Sequence, residues 1–351
     1  MAVATGNNAP GLPQPVFESL LQRIEGDLLA AIKAAPGYSL LYEPSEELLR
    51  YCRDLLAGGK SGNSVKDWRC VMNKRIALSY KEKPQELVWL DDKLEQVDRT
   101  SALLKGERHL PLLGHTDKGD AVGLKKLSQK LRACSQPVVV KPRHGSNSKH
   151  VFLWPKPQEV DATALEESVL KASESHDKSW GKESWNQNAV PKGVLLQPMY
   201  ASLAEFLHGA QGGEAQADHH AFERGVCPKY LRPLELKVQV LFGEVVGAQL
   251  NTHPQYLWVA RDGSLHLWDQ TAEGFQTRHA KEPEELPQEL VNPLRETLQE
   301  HWQRLRCDSE QLAKLAGLDE IRVDWLLGDP KWGPRIGELT HLGTFAIELM
   351  P

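Results

Sequence analysis

Alternating apolar and polar positions predict strands along the second half of the chain, most clearly at residues 234–248. In the segment LELKVQVLF, apolar side chains occupy every second position, and Glu, Lys and Gln fill the first three places between them. Because successive side chains of a strand point to opposite faces, the apolar set forms one face, and Glu235 and Lys237 share the other. Gly243 and Glu244 predict the turn of a hairpin.

Shorter apolar runs predict further strands, some of them joined by turn signals such as Asp-Gly. These strands are expected at residues 138–140, 151–154, 193–200, 256–260, 264–268, 321–327 and 335–340. In the last two strands, Arg322 and Asp324 share a face, as do Glu338 and Thr340.

Apolar residues at intervals of three and four predict the helices. One helix begins beside Lys93, with Asp91 or Asp92 as its cap. Another, polar helix lies within residues 156–192 around Glu166. The longest helix, at residues 288–316, ends at a glycine and is expected to be amphipathic, with an apolar face of Leu290, Leu294, Leu298, Trp302, Leu305, Leu312 and Leu315.

Composition narrows the class of protein. With 351 residues, of which 40% are hydrophobic and 25% charged, the chain is typical of a globular protein large enough for two domains. A net charge of −5 without a basic block argues against a nucleic-acid partner. No apolar run reaches the roughly 18 residues of a membrane span, and no secretory signal is expected. Five scattered cysteines favour a reducing, cytoplasmic compartment.

Two lysines are candidates for binding an anion. Lys141 lies where the strand at residues 138–140 ends, and the residues at 144–148, HGSNS, can donate hydrogen bonds. This pattern suits phosphate oxygens, although a lysine beside an ordinary hairpin turn gives the same pattern. Lys93 lies in the first turn of its helix, where the helix dipole disfavours a cation. A nearby anion or an exposed surface position would explain it.

Acidic residues on the last two strands are candidates for a metal site. Asp324 and Glu338 would together hold Mg²⁺ against nucleotide phosphates, or else belong to a salt-bridged surface. The GGKS at residues 58–61 lacks the first glycine of a P-loop, because Asp54 stands there. It therefore favours a flexible loop.

The order of these motifs resembles the ATP-grasp superfamily, and within it the TupA-like group of polysaccharide-associated carboxylate–amine ligases. The resemblance covers about residues 90–351, and the matching pieces are Lys93, VVVKPRHGSNSKHV, VLLQPMY, ELKVQVLFG, IRVDWLL and GELT. It implies an α+β, ATP-grasp fold in which two α+β subdomains, residues 90–200 and 201–351, clasp ATP. A mainly helical region at residues 16–89 would precede them, after residues 1–15, which are Gly, Asn and Pro-rich and expected to be disordered.

The resemblance also implies a role for each site residue. The phosphates of ATP would bind Lys93, Lys141 and the loop residues His144, Gly145, Ser146 and Ser148. The adenine and ribose would bind Gln197, Met199, Tyr200 and Glu235. Mg²⁺ would bind Asp324 and Glu338, and the catalytic residues would be Arg322 and Lys237.

The implied activity is ATP- and Mg²⁺-dependent ligation of a small-molecule carboxylate to an amine through an acyl phosphate. A nucleotide-binding regulatory protein with an inactive site and a kinase of the same fold are the alternatives. The sequence identifies neither substrate, and it leaves a homodimer open.

Overall fold

The computed structural model describes residues 79–81, 83–145, 149–174, 185–200, 234–241, 243–252, 255–269, 288–318 and 320–341. The expectations for residues 1–78 and for the GGKS segment lie outside them. The chain forms two compact units. Unit 1 takes in Met1–Pro84, Leu236–Asp324 and Thr340–Pro351, and unit 2 takes in Gln85–Glu235 and Trp325–Leu339. Helices and antiparallel sheets occur together, which confirms the expected α+β class.

Unit 2 contains an antiparallel sheet of four strands in the order β1-β4-β2-β3. The hairpin of β2 and β3, in which Val138 pairs with Trp154, confirms the strand–turn–strand prediction. The strand β1 was not predicted, because its sequence GHTD contains one buried residue, Thr116, and no apolar alternation. The strands are β1 (Gly114–Asp117), β2 (Val138–Pro142), β3 (Phe152–Trp154) and β4 (Gly193–Pro198).

Helices cover this sheet and complete the core of unit 2. The core joins Leu127 and Leu131 of α2, Leu165 and Val169 of α3, and the inward side chains of the sheet, such as Val140. Burial of such apolar surface is the main force that holds helices against a sheet. The helices are α1 (Lys93–Leu104), α2 (Ala121–Ala133), α3 (Ala162–Glu174) and α4 (Trp185–Ala189), and a 3-10 helix (Gln85–Leu90) precedes them.

The second sheet has the strand order β10-β9-β5-β6-β7-β8. Its hairpins β5–β6 and β7–β8 confirm the two hairpins predicted from the sequence. Along β5, Leu234, Leu236 and Val238 are buried, while Glu235 and Lys237 between them are partly exposed, as the alternation predicts. The strands are β5 (Leu234–Leu241), β6 (Glu244–Thr252), β7 (Gln255–Ala260), β8 (Leu265–Asp269), β9 (Glu320–Leu327) and β10 (Arg335–Thr340).

The long helix α5 (Gln288–Ala316) packs against β6 in unit 1. Its predicted apolar face is largely confirmed, because Leu294, Leu298, Trp302, Leu305 and Leu312 are buried. The prediction is wrong for Leu315, which is 41% exposed. Ala316, four residues after Leu312, continues the buried stripe, so Leu315 lies beside it rather than on it. As predicted, Gly317 ends the helix with a left-handed φ of 65°.

In the part of the chain that the structure describes, no helix combines the length and the apolar character needed to cross a membrane.

A substitution at Gly247 of β6 tests how tightly the core of unit 1 is packed. Its φ is 154°, and an added Cβ would lie 2.3 Å from Cζ2 of the buried Trp258. We expect Gly247→Ala to lower the free energy of unfolding by about 2 kcal/mol, because the indole ring must move within a filled core. Urea denaturation measures the change. Gly119→Ala is the control, since Gly119 has a φ of 90° but no atom within 4 Å of the added Cβ.

His109 makes the stability of unit 2 sensitive to acid. Burial and the nearby charge of Lys141 lower the pKa of His109 from 6.5 to about 3, and a hydrogen bond to the backbone of Ile336 opposes this shift. The unfolded chain binds a proton at higher pH than the folded chain does. The stability from the neutral imidazole is therefore complete above pH 6.5 and is lost as the pH falls towards 3.

Between pH 6.5 and 4, we expect His109→Gln to lose stability less steeply than the wild type, by up to about 1.4 kcal/mol per pH unit. Urea denaturation across this range measures both slopes. Parallel curves for the two proteins would contradict the prediction.

Candidate functional site

Lys141 is held by strand β2, where it alternates with buried neighbours. Val140 and Pro142 face the core, whereas Lys141 is partly exposed on the other face and pairs with Leu195 of β4. The pKa of Lys141 is lowered to about 8, first by burial and then by the charge of Lys93, while Glu338 opposes the shift. A lysine in this setting gains from an added anion, which would favour its charged form.

Lys93 lies at the start of helix α1, near enough to Lys141 for its charge to contribute to the lowered pKa of Lys141. Asp92 is the N-cap of this helix, and its Oδ1 accepts a hydrogen bond from the Leu94 N–H at 3.0 Å. The Lys93 ammonium donates to the carbonyl oxygen of Gly145 and lies 3.6 Å from Oε1 of Glu338. The anion expected near this lysine is therefore present as the Glu338 carboxylate, and two predicted phosphate ligands and one predicted metal ligand lie together.

Asp91 is a further acid in this group that the sequence analysis considered only as a helix cap. Burial and repulsion by Glu338 raise the pKa of Asp91 to about 7, while Lys93 and side-chain hydrogen bonds to Asn186 and Gln187 oppose the shift. The run Asp-Asp-Lys placed an acid beside the lysine. Nothing in that run distinguishes Asp92, which caps the helix, from Asp91, which lies in the charged group.

The turn after β2 is fixed by the sheet that it leaves. His144 is buried, and its Nδ1 accepts a hydrogen bond from the Gly193 N–H at 3.3 Å. An added Cβ at Gly145 would lie 2.8 Å from Cβ of Pro142, so a larger residue would disturb the turn. Ser146 and Ser148 lie outside the described residues, and their role stays a prediction.

The expected adenine strand, β4, is tied to its surroundings within unit 2. The Gln197 side chain donates to the Leu110 carbonyl at 2.9 Å, and the Met199 N–H donates to the Pro137 carbonyl at 2.9 Å. Met199 therefore does not offer this donor to a base in this structure. The adenine contacts stay a prediction.

Tyr200, just after this strand, is bonded through its hydroxyl. The oxygen lies 3.0 Å from the Leu326 carbonyl and 2.8 Å from the Gly333 carbonyl, and it accepts a hydrogen bond from the Asp329 N–H at 3.2 Å. Burial raises the pKa of Tyr200. These contacts give Tyr200 a structural role beside the one predicted for it.

Arg322 and Asp324 form a bidentate ion pair in unit 1. Arg322 Nε lies 2.6 Å from Asp324 Oδ1, and Nη2 lies 2.8 Å from Oδ2. The same Nη2 lies 3.3 Å from Oγ1 of Thr340. The pair confirms that both side chains share one face of β9, and it fixes the plane of the guanidinium.

The predicted site residues thus fall into two groups. Unit 1 contains Lys237, Arg322 and Asp324. Unit 2 contains the other predicted site residues that the structure describes, including Glu235 and Glu338. The structure brings Lys93, Lys141 and Glu338 together in unit 2, and Arg322 and Asp324 together in unit 1.

The carboxylate oxygens of Asp324 and Glu338 are chemically suitable ligands for Mg²⁺. Carboxylate oxygens are hard ligands, and protein sites for Mg²⁺ commonly use one or two of them beside phosphates and water. Each Asp324 oxygen accepts one hydrogen bond from Arg322 and has a further lone pair that could bind a metal. Among the described residues, no three His, Cys, Asp or Glu side chains are grouped to hold a metal ion. Magnesium at these two acids stays a prediction.

No protein-family model and no curated protein matches this sequence. Among solved structures, D-alanyl-alanine synthetase A from Vibrio cholerae is similar with 12% identity and a TM-score of 0.41, over 76% of this chain and 60% of that one. The ATP-grasp ligase PsnB, complexed with a precursor variant, Mg and ADP, has 12% identity and a TM-score of 0.33, over 85% of this chain and 62% of that one.

A RimK domain ATP-grasp protein from Sphaerobacter thermophilus has 12% identity and a TM-score of 0.35, over 74% of this chain and 62% of that one. The chain thus spans about three fifths of the length of each of these three structures.

Proposed function

We propose that this protein is an ATP-grasp enzyme that joins a carboxylate to an amine, with ATP as the energy source and Mg²⁺ as the metal. The observation that carries the proposal is the pairing of Lys93 and Lys141 in unit 2. These two partly buried ammonium groups come from a helix start and a strand end, and burial together with the charge of Lys93 lowers the pKa of Lys141 to about 8. A polyphosphate removes this cost by adding negative charge between them.

The remaining roles follow the order of motifs along the chain. Glu235 would accept hydrogen bonds from the ribose, and Lys237 would face the phosphates. Asp324 and Glu338 would hold Mg²⁺, which supplies charge neutralisation at the phosphates when it is bound. Arg322, whose plane is fixed by Asp324, would donate hydrogen bonds to the oxygen that becomes negative at the reacting carboxyl carbon.

The proposed reaction has two steps. An oxygen of the substrate carboxylate attacks the γ-phosphorus of ATP, and the bond to the β-phosphate oxygen breaks, which gives an acyl phosphate and ADP. The amine then attacks the acyl carbon, and phosphate leaves as the amide forms and the amine loses a proton. The protein contributes mainly by positioning the reactants and by electrostatics.

Product analysis tests this assignment. The protein is incubated with Mg²⁺, ATP and pooled amino acids, and new amides are sought by mass spectrometry alongside ADP and inorganic phosphate. Amide with equal ADP and phosphate supports a ligase. ADP with a phosphorylated acceptor would instead show a kinase, and ATP binding without turnover would show a binding protein.

Lys141 provides the first test of nucleotide binding. We expect Lys141→Met to weaken Mg-ATP binding by about tenfold or more, the scale of a lost charged hydrogen bond. For the wild type, affinity should also fall as the pH rises through 8, because the ammonium form is lost near the lowered pKa of Lys141. Calorimetric titrations between pH 7 and 9 measure both effects.

The matched control for this experiment is Lys118→Met. Lys118 is an exposed lysine of unit 2 whose ammonium lies 3.8 Å from the carboxylate of Glu174. It should leave both the affinity and its pH dependence unchanged. A folded Lys141→Met protein with normal affinity would remove the lysine pair as the basis of the proposal.

Arg322 tests catalysis apart from binding. Lysine keeps the charge but cannot make the planar, two-point contact to Asp324. We expect Arg322→Lys to keep most ATP affinity and to lose about 10²-fold in amide formation, the usual scale for one oxyanion donor. Steady-state product formation and ATP titration measure the two effects separately.

The control is Arg261→Lys, because Arg261 is also an ion-paired arginine of unit 1, held by Glu244 and Glu310. It should reduce stability without a selective loss of turnover. Equal losses of affinity and turnover in Arg322→Lys would show that Arg322 acts in nucleotide binding instead.

A further inference from the structure

Arg143 lies directly after β2 and connects the turn there to two other elements of unit 2. Its Nε donates to Asp92 Oδ1 at 2.9 Å, and its Nη2 donates to Asp92 Oδ2 at 2.6 Å. Its Nη1 donates to Asp117 Oδ1 at 3.0 Å. Because Asp92 caps α1 and Asp117 ends β1, one side chain joins a helix start, a strand end and a turn.

The backbone of Arg143 forms a further hydrogen bond with α1 and one with the start of β4. Its N–H donates to the Gly193 carbonyl at 2.9 Å, where β4 begins, and its carbonyl accepts a hydrogen bond from the Lys93 N–H at 3.3 Å. Arg143 therefore holds Asp92 through its side chain and Lys93 through its backbone. The first turn of α1 is attached to the end of β2 at two consecutive residues.

Burial shows which of these contacts matters most. The Asp92 side chain is 4% exposed and that of Arg143 is 15% exposed, whereas Asp117 is 63% exposed. An exposed pair such as that with Asp117 contributes little. A buried ion pair adds little net stability on average, but its bidentate geometry restricts both partners strongly. The pair with Asp92 therefore determines position more than stability.

The position that it determines is that of Lys93. Only 12% of the Lys93 side chain is exposed, and its ammonium contacts the Gly145 carbonyl and Glu338. Lys141 lies two residues before Arg143 on the same strand end. Lys93 and Lys141 carry like charges near each other, so contacts that hold the first turn of α1 beside β2 work against their repulsion.

We propose that Arg143 is a positioning residue that, through Asp92, keeps Lys93 beside Lys141 for binding phosphate. Arg143 acts through these neighbours and does not itself contact the phosphates. The identity of the ligand rests on the proposed function, whereas the placement of Lys93 does not.

The test compares Arg143→Met with Arg99→Met. Arg99 lies on the same helix, pairs with exposed Glu95 at 3.2 Å and lies 5.1 Å from the centre of the Trp89 ring, so its loss removes an arginine from α1 and leaves the contacts of Arg143 in place. Two quantities are measured in each folded variant: the Mg-ATP affinity, and the rate at which limiting acetic anhydride acetylates Lys93, followed by mass spectrometry of the peptide.

We expect Arg143→Met to weaken ATP binding by about tenfold and to make acetylation of Lys93 several-fold faster. Arg99→Met should change neither quantity. In a Lys93→Met background, Arg143→Met should cost less than about twofold in ATP affinity, because the residue through which it acts is already gone. A purely structural role would instead give the same tenfold loss in both backgrounds and would overturn the proposal.

Asp92→Asn is the milder second variant if Arg143→Met does not fold. Asparagine caps a helix as well as aspartate does but cannot form the ion pair, so the same two changes are expected in smaller degree. A wild type that binds no ATP would refute the proposed nucleotide site, and acetylation would still decide the role of Arg143. Faster acetylation of Lys93 in the variants supports that role, and an unchanged rate overturns it.

Discussion

Two like charges, the ammonium groups of Lys93 and Lys141, lie near each other in unit 2 and must be compensated by the groups around them. Lys93 lies at a helix start, where the helix dipole disfavours a cation, and Lys141 lies at a strand end, where burial disfavours its charged form. The protein offsets the repulsion with the carboxylate of Glu338 and the carbonyl of Gly145. Beside this group, the buried ion pair of Asp92 and Arg143 joins the start of α1 to the end of β2.

The charges of Lys93, Lys141, Asp91 and Glu338 also make this group responsive to protonation and to an added anion. Burial and, after it, repulsion by Glu338 raise the pKa of Asp91 to about 7. The four charges therefore balance only approximately, and protonation or an incoming anion shifts the balance. Such tuned groups are more common at binding and catalytic sites than in structural ion pairs.

The sequence predicts the regular elements well and the site in part. Strands such as β5 follow from strict alternation, and the phosphate-binding role of Lys141 was suggested by its place at a strand end. The strand β1 has no such signal, because its pairing with β4 is made by backbone groups of a polar segment. Leu315 fits the helical spacing, but at the end of the helix Ala316 is buried and Leu315 is exposed. The role proposed for Arg143 depends on Asp92, which is 51 residues away, and no local pattern in the sequence reveals so distant a partner.

Unit 2 is discontinuous in sequence, since Trp325–Leu339 joins it only after the chain has passed through unit 1. A fragment ending anywhere before that return would lack Glu338 and the two carbonyls beside the Tyr200 hydroxyl. During synthesis, the lysine pair therefore lacks the counter-charge of Glu338 until the Leu236–Asp324 segment of unit 1 has been made. Nor can unit 2 be moved to another protein as a single cassette, so recombination within this gene must preserve both of its segments together.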